Sequence, residues 1–215
     1  MKNASVSGKS RRAAGRVFGV VAAVLLSVSA VNAQGGSFTD ARDGKTYRTV
    51  QIGDQTWMAE NLNYQTGKSV CYANKESNCQ KYGRLYDWKT ALKACPAGWH
   101  LPSDKEWTAL TDFVGGEETA GTKLKSKTGW STDKGYEAAT DDYGFSALPG
   151  GRGYSSGGFG SAGNYGYWWS ATEDDAGYAW LRSMSDNYEY VYRGNYNGKS
   201  RLFSLRCSQD SAAPQ

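Results

Sequence analysis

The chain has 215 residues, with 25 lysines and arginines against 21 aspartates and glutamates, and it holds 27 glycines, 15 tyrosines, eight tryptophans and four cysteines. Five of the basic residues fall within the first 33, so the remaining 182 carry 20 basic against 21 acidic groups. A near-neutral body removes the electrostatic case for nucleic acid as a partner.

Lys2, Lys9, Arg11, Arg12 and Arg16 form a basic stretch without an acid, Val17 to Ala30 is apolar, and Val31-Asn32-Ala33 is a small-x-small site before Gln34. This is the pattern of an export signal over residues 1–33. The 14 residues from Val17 to Ala30 fall short of the roughly 20 that span a bilayer. Arg11-Arg12 is followed by Ala13-Ala14, where a twin-arginine signal has larger apolar residues, and the residue immediately after Ala33 is Gln34 rather than the cysteine of a lipoprotein. Residues 34–215 are therefore expected to form a single domain with no membrane span, exported to the periplasm, the cell surface or the medium.

Within that domain the first pattern is a hairpin over Asp40 to Leu62. Tyr47 to Ile52 is rich in strand formers, Gly53-Asp54 is a tight-turn pair, and Gln55 to Ala59 returns. Leu85, Trp88, Ala91 and Leu92 recur at helical spacing, predicting a helix from Arg84 to Ala94. The chain then turns through Gly98. Ser103 with Glu106 is a capping box that starts a second helix at Asp104, and Pro102 stops any helix arriving from upstream. That helix presents Trp107, Leu110 and Val114 and ends at Gly115-Gly116. Thr119 to Lys127 reads as a short basic turn with its lysines on a solvated face. Gly144 to Tyr167 holds nine glycines without helical or strand period and is expected to be a long loop system. Strand signals return at Tyr167 to Ala171, Tyr178 to Met184, Tyr188 to Arg193 and Arg201 to Cys207, the last with Phe203, Leu205 and Cys207 on one face. Gly194 to Gly198 is the turn before it.

Cys71, Cys79, Cys95 and Cys207 are an even set in an exported chain, which reads as disulfides with three possible pairings. Cys71 and Cys79 flank a polar loop and are expected to close it locally, which leaves Cys95 for Cys207. The spacing contains no CxxC pair, which argues against zinc.

Several stretches together resemble one family. They are Ile52 to Leu62, Tyr82 to Trp88, Cys95 to Trp107, Tyr143 to Gly151, Trp168 to Thr172 and Ser204 to Cys207, in order over nearly the whole mature chain. They resemble the Fibrobacter succinogenes major paralogous domain family. The resemblance implies an exported bacterial domain without an established reaction. The implied fold is α+β and C-type lectin-like, two helices packed on twisted antiparallel sheets with a long Gly-rich loop region. Leu101 to Trp107 also resembles the helix start of formylglycine-generating enzymes, a more distant kinship.

Few residues point to chemistry. His100 is the only histidine and has no serine or cysteine nucleophile in a recognisable motif. It reads as a turn residue bonding neighbouring loops. No cofactor is expected, the alternative being a structural calcium held by Asp141-Asp142 or by Glu173-Asp174-Asp175. The aromatic residues are the best remaining clue. Tyr154, Phe159, Tyr165 and Tyr167 stud the glycine-rich loop beside Arg152 and Asn164, and Tyr188, Tyr190 and Tyr192 alternate, so on a strand they would line one face. Flat rings on a rigid scaffold give large contact area at small entropic cost, and they also serve to tether loops. Trp168 and Trp169 are assigned to the core. The expectation is an exported, non-catalytic binding or adhesion module for a polysaccharide or surface protein. An enzyme related to the formylglycine-generating group and a structural envelope component are the alternatives.

Overall fold

The computed structural model describes residues 1, 35–131 and 139–211. The signal expected over 1–33 otherwise lies outside the described residues. The elements below all belong to one unit, residues 32–215.

The predicted hairpin is present as β2 (Thr46–Ile52) and β3 (Gln55–Met58), preceded by a strand that the sequence did not announce, β1 (Gly35–Thr39). Gly53 sits at φ +60°, the left-handed region that a tight turn needs and that glycine enters without penalty. The polar loop between Cys71 and Cys79 is more ordered than expected: a 3-10 turn at Tyr72–Asn74 leads into helix α1 (Glu76–Tyr82). The helix expected from Arg84 to Ala94 is only α2 (Trp88–Ala91). Leu85 and Tyr86 are instead extended, each buried and each bridged, to Val70 and to Phe203. Asp87 then starts the helix by accepting the Thr90 N–H at 2.7 Å. The apolar spacing counts Leu85 as one turn of a helix, whereas it sits in an isolated bridge to Val70.

After β4 (Trp99–His100) the capping box forms as read. Ser103 and Glu106 satisfy each other's backbone N–H at the start of α3 (Asp104–Phe113). The basic turn expected next is a full helix, α4 (Glu117–Leu124), and Lys125 just beyond it is buried rather than solvated. Within the glycine-rich stretch two short strands pair, β5 (Arg152–Gly153) and β6 (Phe159–Gly160). Then come β7 (Tyr165–Glu173), β8 (Ala179–Ser185), β9 (Tyr192–Gly194) and β10 (Ser208–Gln209).

The result is α+β with every strand pair antiparallel: a five-stranded sheet in the order β1-β2-β3-β10-β4, the β5-β6 pair, and a three-stranded sheet β7-β8-β9. The expected strand from Arg201 to Cys207 is not continuous. It pairs one residue at a time, Phe203 with Tyr86 and Ser204 with Trp168, so it stitches separate elements together. Its predicted inward face holds, because Phe203, Leu205 and Cys207 are all buried in one cluster.

Trp168 and Trp169 show how the core is organised. Successive residues on a strand point to opposite faces. Trp169 enters the cluster of Met58, Leu62, Tyr86, Phe203 and Cys207, and Trp168 enters that of Ile52, Trp57, Trp107, Leu110 and Phe145. Both tryptophans are fully buried, as assigned from the sequence. Cys95 is joined to Cys207, and Cys71 to Cys79. Among the described residues no helix is long and apolar enough to cross a membrane.

Candidate binding surface

The register of the three-stranded sheet decides where its side chains go. Tyr167, Ser183 and Tyr192 share one row, and Tyr165 pairs with Ser185 in the next. Cross-strand partners lie on the same face, so these two rows present tyrosine and serine, and the row beyond them on that face is Trp169, Leu181 and Gly194. The opposite face carries the row Trp168, Arg182 and Arg193. There Arg182 and Arg193 grip Asp104 at the start of α3, at 2.5 and 2.8 Å. Burial works against that carboxylate's charge, yet hydrogen bonds from the two guanidinium groups hold it below the usual range. The pairing fixes the sheet against the helix, while on the other face Tyr167, Ser183 and Ser185 are buried and only Tyr192, at the edge strand, is exposed.

The rings on that side come in touching pairs. Tyr188 and Tyr190 stack at 4.9 Å, and Tyr192 meets Tyr196 edge-on at 5.7 Å. Tyr188, Tyr192 and Tyr196 are 42%, 43% and 53% exposed, enough to offer a contact face. Tyr165 stacks on Tyr167 at 5.7 Å, and Tyr167 on Phe203 at 5.2 Å. Tyr167 is only 5% exposed, so it supports the surface from below rather than meeting a ligand broadside.

Tyr188, Tyr190 and Tyr192 do not alternate along one strand, because β9 begins only at Tyr192. The segment before it is a turn clamped onto α4. Thr122 donates its N–H to Glu189 O at 3.1 Å, and Val191 donates its own to Glu117 O at 2.9 Å. Buried Lys125 donates its ammonium to Ser185 O and Tyr188 O at 2.9 and 2.8 Å. Gly121 makes this approach possible: a Cβ there would collide with Glu189 O and lie 2.7 Å from Tyr190 O. Gly194 plays the same part between rings, where a Cβ would meet Tyr192 and Tyr196 at 2.5 and 2.7 Å.

Beside this face lies a groove of about 330 Å³ lined by Tyr154, Phe159, Asn74, Asp87 and Ser200. Arg152 donates its Nε–H to the Tyr154 hydroxyl at 3.1 Å, and its guanidinium lies 5.4 and 5.3 Å from the rings of Tyr154 and Tyr167. Arg152 thus joins the groove to the tyrosine face. Arg201 covers the Tyr154 ring at 4.4 Å, and Tyr72 braces Phe159 at 5.4 Å. Asn164 donates its amide to Asp186 at 2.8 Å.

Of the remaining acidic candidates, Asp142 is exposed and the others have structural partners. Asp141 accepts hydrogen bonds from the Ser146 N–H and hydroxyl at 2.7 and 2.6 Å. Asp175 accepts from Gly177 N–H, Asp174 accepts from Asn195, and Glu173 pairs with Lys199. Among the described residues the one trio with metal-ligand spacing is Cys71, Glu76 and Cys79, two of which are joined in a disulfide.

His100 lies between two carboxylates, Nδ1 at 2.7 Å from Asp210 and Nε2 at 2.7 Å from Glu106. Burial works against the charged ring, but the two carboxylates outweigh it and raise the pKa above the ordinary 6.5. Burial also opposes Glu106's charge, yet bonds from Ser103 and His100 hold its carboxyl below the ordinary 4.5. The histidine's contribution to stability is complete below pH 6.5 and fades as pH rises through its native value. The glutamate's is complete above pH 4.5 and fades as pH falls through its native value. Thermal melts of the domain should therefore show a loss on moving from pH 6 toward 9, worth about 0.5–1 kcal/mol at this solvent-screened site. His100→Gln should abolish that slope; an unchanged slope would assign it to other groups.

A sequence model of the family described as the Fibrobacter succinogenes major domain matches residues 50–209, from within β2 to the end of β10. The chain belongs to this family. No curated protein and no solved structure matches the chain. In this Fibrobacter succinogenes major domain, the groove residues Asn74, Asp87 and Ser200 and the brace Tyr72 come from segments far from the glycine-rich loop, so no local pattern pointed to them. Tyr196 closes the segment from Tyr188 that the sequence offers, with the Gly150 to Tyr167 loop, as a contact surface, and it is exposed.

Proposed function

We propose that this domain is an exported, non-catalytic binding module of C-type lectin-like fold, and that its ligand is a polysaccharide. The observation that carries this reading is the exposure of Tyr188, Tyr192 and Tyr196, braced in the pairs Tyr188–Tyr190 and Tyr192–Tyr196, beside a Tyr154–Phe159 groove whose Arg152 also covers Tyr167. Sugar rings offer flat apolar faces edged by hydroxyls. Pre-ordered aromatic rings match the faces without losing rotamer freedom on binding. Asn74, Asp87 and Ser200 supply donors and acceptors for the hydroxyls. The groove falls at the small end of the volumes that ligand sites occupy, roughly 300–1,000 Å³, which suits one or two sugar units at the end of a longer contact.

Two further observations favour binding over catalysis. All four cysteines are consumed in disulfides, whereas formylglycine-type oxidation calls for a reactive cysteine pair. The single histidine is engaged at both nitrogens.

The test is a glycan array followed by calorimetry with residues 34–215, with and without chelator. Tyr192→Ala and Tyr196→Ala should each weaken binding about tenfold, equivalent to ~1.4 kcal/mol, with the melting temperature little changed. If both variants bind like the wild type, the tyrosine face is not the contact surface.

A further inference from the structure

A larger cleft, about 540 Å³, lies between the β2–β3 hairpin, the end of α1 and the segments 126–128 and 141–148, and shares no lining residue with the tyrosine groove. Its charges are unbalanced. Lys45, Arg48, Lys81 and Lys127 line it against only Glu60 and Asp141. Lys45 is paired with Asp43 at 2.8 Å and Arg48 with Glu60 at 3.6 Å. Lys81 and Lys127 form no ion pair among the described residues, and both are exposed.

A third cation lies directly behind the wall. Arg206 is fully buried and donates to Asn61 Oδ1 at 3.0 Å and to Ser146 O at 3.4 Å, and both acceptors belong to residues that line the cleft. Its partners are all neutral oxygens: Asn61, Met58, Phe145 and Ser146. The carboxylates whose charge reaches it are Asp141 and Glu60, the two acids of the cleft. A buried charge with neutral partners projects its field into the nearest solvent-filled space. Lys81, Lys127 and Arg206 against Asp141 leave an excess of positive charge in one concavity of a domain that is otherwise near neutral.

We infer that this cleft is a second binding site, separate from the tyrosine face, for a carboxylate-bearing sugar chain. The cations fit the carboxylates. The hydroxyls and amides of Thr46, Gln80, Asn63 and Thr128, which also line the cleft, fit the sugar hydroxyls. The inference does not depend on the tyrosine face, and the two can fail separately.

The experiment titrates residues 34–215 with oligogalacturonate and, in parallel, with its methyl ester, which keeps the backbone and removes the charge. The acid form should bind and the ester should bind at least about tenfold more weakly, with affinity falling as salt is raised. Lys81→Gln and Lys127→Gln should each weaken the acid form several-fold, and Lys127→Arg should restore it. Tyr192→Ala should leave it unchanged. Equal binding of acid and ester, no binding of either, or glutamine variants that bind as tightly as the wild type would each overturn the site. Displacement by free acetate as effective as by the oligomer, carboxylate for carboxylate, would overturn the sugar assignment by reducing the cleft to a simple anion trap.

Discussion

Removing the Cys95–Cys207 bridge by double alanine substitution is expected to lower the unfolding free energy of the domain by about 4–5 kcal/mol, the chain-entropy value for a loop of this length. The two cysteines are 112 residues apart in sequence, and the bridge joins the segment just after α2 to the last core segment. Without it the unfolded chain regains the freedom of most of the domain. Cys207 is also completely buried among Tyr86, Phe203 and Leu205, so the loss falls where the packing is densest. The Cys71–Cys79 pair, only eight residues apart, is the control, with about 2–3 kcal/mol expected. Denaturant titration of both double variants under non-reducing conditions gives the comparison. Equal losses would show that the long loop is already restrained in the unfolded chain.

The second large effect is at Arg206. Burial drives its pKa down to about 9, with partial compensation from Asp141 and Glu60. Against that cost, every N–H of the guanidinium has an acceptor. Nε donates to Asn61 Oδ1, one terminal nitrogen to Met58 O and Phe145 O, and the other to Asn61 Oδ1 and Ser146 O. One side chain thus joins the end of the hairpin, the Asn61 turn and the 145–146 loop. Asn61 Oδ1 also accepts the Trp168 indole N–H at 2.9 Å, which extends the network into the core. Arg206→Met keeps the volume and removes the donors, leaving buried carbonyls unpaired, and should cost roughly 3–5 kcal/mol. Arg206→Lys should recover only part of this, since an ammonium lacks the planar fork. Equilibrium unfolding followed by tryptophan fluorescence measures both. A loss below about 1 kcal/mol for Arg206→Met would mean that relief from desolvating the charge cancels the lost bonds.

What the sequence disclosed and what it hid follow a physical division. The hairpin at Gly53-Asp54, the capping box at Ser103 and Glu106, the stop at Gly115-Gly116 and the core role of Trp168 and Trp169 are local chemistry, and each was legible. The errors arose where tertiary contacts overrode a local pattern. Leu85 matched a helical period but was claimed by Val70 across a bridge. Lys125 belonged to a basic run that reads as solvated, yet two carbonyls from the tyrosine turn, Ser185 O and Tyr188 O, draw its ammonium inward. The alternation of Tyr188, Tyr190 and Tyr192 suggested one strand, but Gly121 admits that backbone so close to α4 that it turns instead. The candidate surface was visible in outline, as a ring-rich composition. Its depth was not: Tyr167 is covered, while Tyr196 stands out. The cationic cleft left no signature, because its lysines, Lys45, Lys81 and Lys127, come from three separate segments.

The adjacent indoles of β7 have a mechanical consequence. One strand plugs both hydrophobic compartments at consecutive positions, so neither can loosen while the other stays intact. The domain should melt in a single step, and a fragment cut on either side of that strand would forfeit both interiors at once.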